Sequence, residues 1–297
     1  MNVKMAAMPQ TSATTDLYEL TKPRLTLMVV LTAVLGVWLG GVTHGFPTPV
    51  TAVAAVLGTL LLASGAAALN MWWEADLDAR MRRTARRPIP AGRISPTVAL
   101  LFGFTLLVTG GIILAAFVNQ ATLVLGLVTV LFYVVIYTPL KTVTSLATLI
   151  GAIPGALPPA MGWTAVTGEF SPGAWALFAI LFFWQLPHFY AIAYMHRDDY
   201  RDGGFVMLSN REDGGLRLAV HSLVHTLLLG AASVSLFAIG ITGGLYLAVA
   251  LLLAAAFLYF SVLFLRERSW ERARRVMLFS LLYLPALILG VVIDRLI

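Results

Sequence analysis

Apolar residues fall in long unbroken runs, not in the alternating or one-sided patterns of a soluble domain. The runs cover 26–43, 50–70, 96–116, 121–139, 146–166, 173–194, 218–240, 245–264 and 276–293. Each is near the roughly 20 apolar residues with which a helix crosses a bilayer. Membrane β-strands would be shorter and would alternate apolar with polar residues. The pattern therefore predicts an all-α polytopic membrane protein of nine spans, and no gap is long enough for a large soluble domain. The fifth span carries Pro154, Pro158 and Pro159. Proline lacks the N–H donor and clashes with the preceding turn, so this span is expected to kink or break. Breaks at membrane depth are tolerated where they line a cavity or meet protein.

The polar positions add an orientation. Loops 71–95, 140–145, 195–217 and 265–275 hold most of the lysines and arginines, and loops 44–49, 117–120, 167–172 and 241–244 hold none. Basic loops stay in the cytoplasm. With nine spans this puts the N-terminus inside and the C-terminus outside, and only Arg295 sits on the basic-poor side. Residues 1–25 form a short cytoplasmic tail, expected to be disordered at its start. The opening MNVKMAAMPQTSATTDLYEL lacks the apolar centre of a cleaved signal peptide. Residues 26–297 form the membrane domain, with the two long cytoplasmic loops 71–95 and 195–217. These loops lie four spans apart and both run acids into basic residues, which hints at an internal duplication.

Composition narrows the chemistry. Only 11% of residues are charged and 59% are hydrophobic. The net charge of +6 then reports orientation and anionic lipid, not nucleic acid. The chain has no cysteine, which excludes disulfides, thiolate catalysis and c-type haem attachment.

The first long loop opens with NMWWEADLDARMRRTARRP, residues 70–88. Asn70, Glu74 and Asp78 recur at every fourth position and share one helical face. All three offer oxygen, the donor that Mg²⁺ accepts alongside water and substrate phosphate. Asp76 falls on the opposite side. Arg82 continues the line, and Arg83 and Arg87 follow; arginine presents a rigid fork of donors to phosphate. Together the acids and arginines describe a pocket for a magnesium diphosphate. The arginines alone fit equally well a loop tuned for topology and lipid headgroups.

Two further stretches carry polar groups. WQLPHFYAIAYMHRDDYRDGGFVML, from Trp184 to Leu208, places Gln185 and His188 inside an apolar span, where polar groups usually face an interior cavity. Pro187 is expected to open this helix locally. His188 is either a ligand or a hydrogen-bonded core histidine. Tyr194, His196, Arg197, Asp199 and Tyr200 then reach the cytoplasmic mouth. His221 and His225 fit structural roles, and His44 a loop. YTPLKTVTSLATLIGAIPGALPPAMGW, from Tyr137 to Trp163, brings Lys141 to the same face; its Gly151, Gly155 and Gly162 suit close helix packing.

These blocks, read as NMWWEADLDARMRRTARRPIPAGRISP, YTPLKTVTSLATLIGAIPGALPPAMGW and WQLPHFYAIAYMHRDDYRDGGFVMLS, resemble the protohaem IX farnesyltransferases, or haem O synthases. That family lies within the intramembrane aromatic prenyltransferases, and the resemblance runs from Leu20 onward. It implies nine helices around a central lipid-accessible cavity, with farnesyl diphosphate and protohaem IX as substrates; haem b is thus substrate, not prosthetic group. It implies Mg²⁺ held by Asn70, Glu74 and Asp78, with Lys141 and Asp199 as further catalytic residues. Arg82, Arg83 and Arg87 would bind diphosphate with Lys141, and His188, Tyr194, His196, Arg197 and Tyr200 would line the rest of the substrate site. Glutamate stands at 74 where many relatives have aspartate, and the second motif is reduced in acids. The implied reaction ionises the allylic diphosphate, adds the farnesyl cation to the 2-vinyl group of haem, and quenches the new cation with water. The expected setting is the bacterial inner membrane, with haem A synthase or a terminal oxidase assembly factor as partner. Two rival functions fit a polytopic chain of this charge: prenyl transfer to a quinone-precursor aromatic acid, and small-molecule transport.

Overall fold

In a computed structural model of the protein, residues 12–81, 83–210 and 213–297 are described. Arg82 and the start of the N-terminal tail lie outside the described residues. The chain runs through α1 (Ala13–Leu20), α2 (Pro23–His44), α3 (Pro49–Trp73), α4 (Ala75–Asp78), α5 (Pro96–Phe117) and α6 (Gln120–Val130). A π-helical stretch, Leu131–Tyr137, leads into α7 (Thr138–Leu140), then α8 (Ala147–Thr167), α9 (Pro172–Met195) and α10 (Arg197–Asp202). The chain ends with α11 (Leu216–Ala238), α12 (Gly244–Arg266) and α13 (Trp270–Leu296). Among the described residues, nine helices are long and apolar enough to cross a membrane, with Gln120–Leu140 acting as one span.

Small residues set the packing. A Cβ on Gly162 would lie 1.9 Å from the Ala33 carbonyl oxygen, and one on Gly36 would lie 2.0 Å from that of Pro159. α2 and α8 therefore touch backbone to backbone, as glycine allows between membrane helices. α8 also packs on α9, which in turn packs on α11 and α13.

Of the kink or break expected in the fifth span, the break does not occur. α8 is continuous through Pro154, Pro158 and Pro159, all of them buried. It is packed between α2 and α9, and Gln185 of α9 donates from Nε2 to the Ala152 carbonyl at 2.8 Å. Nor does Pro187 open α9, which continues to Met195. The irregularity lies in the fourth span instead. There the π-helical turns are steadied by Thr138, whose Oγ1 donates to the Tyr133 carbonyl at 2.8 Å. Such turns are rare and occur often at functional sites.

The N-terminal segment is folded from Ser12, which caps α1 by accepting from the Thr15 amide. Leu20 is buried among Ala68, Met71, Ile89, Ile94 and Ala99. Arg93 straps α1 to the loop after α4, pairing with Asp16 at 2.8 Å and Glu19 at 3.0 Å. The basic loops meet at one end of the bundle. The Val206 amide donates to the Lys141 carbonyl at 2.8 Å, and a Cβ on Gly203 would strike Met81 at 2.7 Å.

Candidate active site

α3 ends at Trp73, and Glu74 turns the chain into α4. Two backbone bonds carry the helical spacing across this break: Glu74 N–H to the Asn70 carbonyl at 3.0 Å, and Asp78 N–H to that of Glu74 at 2.8 Å. Asn70, Glu74 and Asp78 therefore stay in register, at 0%, 4% and 1% exposure.

Each meets a basic side chain. Lys22 Nζ donates to Asn70 Oδ1. Lys141 Nζ lies 2.6 Å from Glu74 Oε1, and Arg87 Nη1 lies 2.6 Å from Asp78 Oδ2. Asn70 Nδ2 donates to Thr138 Oγ1 at 2.9 Å, so the π-helical span helps to aim it. The second carboxylate oxygen, Asp78 Oδ1, is buried and has no hydrogen-bond partner. An unsatisfied buried acceptor is costly. Two carboxylates and an amide oxygen in line, one oxygen unsatisfied, form a donor set that fits a hard divalent cation. Among the described residues no three His, Cys, Asp or Glu side chains gather as a complete metal cluster. Further oxygens would have to come from a phosphate or water.

Lys22 joins this cluster although the sequence places it in the tail. Its one local signal is the TKPR turn that starts α2. Lys22 is the one non-glycine among the described residues with positive φ, at 48°. Such backbone is held only where the surroundings enforce it. Burial lowers its amine to about 7, and the Arg87 and Lys141 charges push the same way. Burial also opposes the charge on Lys141, but Tyr137 and Glu74 outweigh it and hold that amine above its ordinary range. Lys141 Nζ sits 4.4 Å from the centre of the Tyr137 ring.

The other expected residues occupy three places. Arg83 bridges the two long loops, with Nε 3.9 Å from Asp199 Oδ2 and its guanidinium 5.8 Å from the Tyr200 ring centre. Tyr194 and Arg197 lie between α9 and α13: Arg197 sits 5.4 Å from the Tyr194 ring centre, and the Tyr194 hydroxyl donates to the Arg268 carbonyl. His196, exposed, ends α9. Deeper on the same seam, His188 Nδ1 lies 2.7 Å from Ser280 Oγ. Ser280 spends its own proton on the Met277 carbonyl at 2.6 Å, so Nδ1 is the donor and Nε2 keeps its lone pair. Trp184 stacks on His188 and donates to the Ser280 carbonyl at 2.7 Å. Asp76 is exposed. His225 bonds the His221 carbonyl at 2.6 Å, and His44 packs edge-on against Trp163.

The structure thus brings Asn70, Glu74, Asp78, Lys141 and Arg87 into one cluster and adds Lys22. It sets Asp199 and Tyr200 beside that cluster through Arg83, and leaves Arg197 and His188 on a separate seam.

Known proteins share this arrangement of chain. The chain is 41% identical to a protoheme IX farnesyltransferase of Myxococcus xanthus, over 99% of both chains. It is 38% identical to one of Opitutus terrae, over 98% of this chain and 99% of that one. In fold it is similar to a digeranylgeranylglyceryl phosphate synthase structure, with a TM-score of 0.78 at 16% identity, covering 95% of this chain and 98% of the other. A UbiA homolog from Archaeoglobus fulgidus, bound to GPP and Mg²⁺, superposes with a TM-score of 0.64 at 14% identity, covering 93% and 99%. The sequence profile of the UbiA prenyltransferase family matches residues 29–283, and the chain belongs to that family.

Proposed function

We propose that this integral membrane protein transfers the farnesyl group of farnesyl diphosphate to the 2-vinyl group of protohaem IX, adding water and giving haem O and diphosphate. The choice of substrates follows the near full-length identity to protoheme IX farnesyltransferases. The chemistry rests on one observation above all: a buried line of three oxygen-bearing side chains, each met by a basic group, with one carboxylate oxygen unsatisfied.

Asn70, Glu74 and Asp78 would hold magnesium. A bound magnesium ion would supply charge neutralisation to the diphosphate and ease its departure. Lys22 now bonds the Asn70 amide, while Lys141 and Arg87 neutralise Glu74 and Asp78. With those acids engaged by a cation, the same three basic groups are placed to hold phosphate oxygens as the C–O bond breaks. Preorganised charge of this kind, in a site closed to water, makes the greatest single contribution to catalysis in many enzymes. Arg83 and Asp199 bring the second loop to the same mouth. His188 offers Nε2 to the acceptor, with Ser280 fixing the ring. His196 and Tyr200 complete the mouth, and Arg82 is assigned to diphosphate from the sequence alone.

The cytoplasm would hold the N-terminus and the active-site loops, in a bacterial inner membrane, with the C-terminus outside. Haem A synthase or a terminal oxidase assembly factor would receive the product. The decisive experiment incubates purified protein in nanodiscs with protohaem, farnesyl diphosphate and graded magnesium. Expected is a hydroxyethylfarnesyl haem whose formation stops with chelator. Prenylation of 4-hydroxybenzoate and not of protohaem would overturn the acceptor; turnover indifferent to chelator would overturn the metal.

A further inference from the structure

A second charged site lies apart from the acid cluster. A cleft of about 340 Å³ opens between the C-terminal end of α9 and the start of α13. Tyr194, Arg197 and Asp198 line one side, and Arg268 and Trp270 the other. Its acid is already engaged, because Asp198 pairs with Arg201 at 2.9 Å. The nearby Glu267 pairs with Arg272 at 2.8 Å. Arg197 and Arg268 form no ion pair among the described residues; Arg268 donates only to the Leu265 carbonyl and Arg197 faces a ring. The cleft therefore presents two guanidinium groups with which no carboxylate among the described residues pairs, beside one acid that pairs with Arg201. In the acid cluster the reverse holds, for every basic group there has an oxygen partner.

The seam below the cleft narrows the ligand. Met195, which also lines the cleft, is seven residues from His188 on α9. At 1.5 Å per residue the two are about 10 Å apart along the axis. His188 presents an unprotonated Nε2, fixed by Ser280 of α13. One seam thus carries a metal-seeking nitrogen in the span and two guanidinium groups at its mouth. A lipid headgroup has use for the second feature alone. A porphyrin with iron at its centre and two carboxylates on one edge uses both, and guanidinium forks match carboxylates bidentately.

Resting on the reading of the acceptor given above, we propose that this cleft seats the two carboxylates of protohaem, with Arg197 and Arg268 as their partners. The site is distinct from the diphosphate cluster. It sets the depth and rotation of the porphyrin, and so which edge faces the farnesyl group.

The test compares protohaem with its dimethyl ester, which removes both charges and keeps the ring. Binding of each is measured by absorbance to wild type, Arg197→Gln and Arg268→Gln in nanodiscs of neutral lipid, with farnesyl diphosphate binding as the check on folding. Each variant should bind protohaem about tenfold more weakly, the loss of one charge-assisted bond. Affinity for the ester and for farnesyl diphosphate should stay at the wild-type level. Equal losses for diacid and ester, or no loss for either, would overturn the site. So would a variant effect that appears only when phosphatidylglycerol is added, which would reassign the cleft to lipid phosphate. Wild-type protein that binds neither porphyrin would instead sink the acceptor assignment itself, and this site with it.

Discussion

Loop 74–95 and loop 196–215 each follow a long apolar helix and each run acids into arginines, yet they stand differently towards water. In the first, Glu74 and Asp78 are buried, Glu74 facing Lys141 from a distant loop and Asp78 facing Arg87 of its own loop. In the second, Asp198 and Asp202 have side chains 68% and 72% exposed, and both lie beside Arg201 of the same short helix. Buried charge is costly unless paired, whereas exposed pairs contribute little. The first loop holds Glu74, Asp78 and Arg87 where their interactions are strong, and the second holds Asp198 and Asp202 where theirs are screened. Among the described acids of the second loop, Asp199, half-buried, reaches across to Arg83. If the two loops descend from one ancestor, the second has lost depth as well as acids.

The sharpest way to break this contrast is to remove charge without shape. Glu74→Gln and Asp78→Asn should each lower turnover by about 100-fold or more, the scale seen when one preorganised electrostatic partner is lost. Magnesium-dependent binding of farnesyl diphosphate should fall with it, and protohaem binding should not. Near-normal turnover in both variants would show that burial and pairing here serve only the fold.

The next test sits on Lys22. If depth decides function, Lys22→Met should weaken farnesyl diphosphate binding by about 10- to 100-fold, the value of a hydrogen bond to a charged group. Arg83→Gln, at a looser 3.9 Å contact, should cost less. Titration of both variants with the diphosphate decides it, and the reverse order would defeat the comparison.

Lys22 also marks where sequence reading runs out. Span number and the Asn70–Glu74–Asp78 line are legible, because hydropathy and helical period are local properties. The continuity of α8 through its prolines is not, because it is packed between α2 and α9, which are distant in sequence. The π-helical turn at Leu131–Tyr137 leaves no mark in an apolar run. Lys22 reads as tail because nothing local shows that Leu20 is buried beneath it. The pairing of Lys141 with Glu74 crosses 67 positions and exists only once the fold brings the two loops together.

A smaller effect should come from the strap that delivers Lys22. Arg93 joins α1 to the arginine loop through Asp16, Glu19 and the Arg86 carbonyl. Arg93→Met would take the guanidinium from two carboxylates, one of them buried. The pair is partly open to solvent, so the cost is about 1–2 kcal/mol, below that of a fully buried pair. KM for farnesyl diphosphate should rise a few-fold with kcat held, and trypsin should cut sooner after Arg24. Arg93→Lys should restore part of both. A change in kcat alone would mean that Arg93 acts on the chemistry and not through α1.

The smallest effect should come from Asp202. Its side chain is largely in water, and Arg201 Nε approaches no closer than 3.9 Å. Arg201 has a nearer partner in Asp198 at 2.9 Å, so it keeps an acid when Asp202 is neutralised. Exposed pairs of this kind contribute about 0–1 kcal/mol. Asp202→Asn should leave turnover, farnesyl diphosphate affinity and melting temperature within error of wild type, even though it changes the same number of charges as Asp78→Asn. Measured side by side, the two substitutions hold chemistry constant and vary only depth. A loss of turnover in Asp202→Asn approaching that in Asp78→Asn would mean that the second loop closes over the site during the reaction, carrying Asp202 into it, and that the exposed arrangement is one stage of a moving mouth.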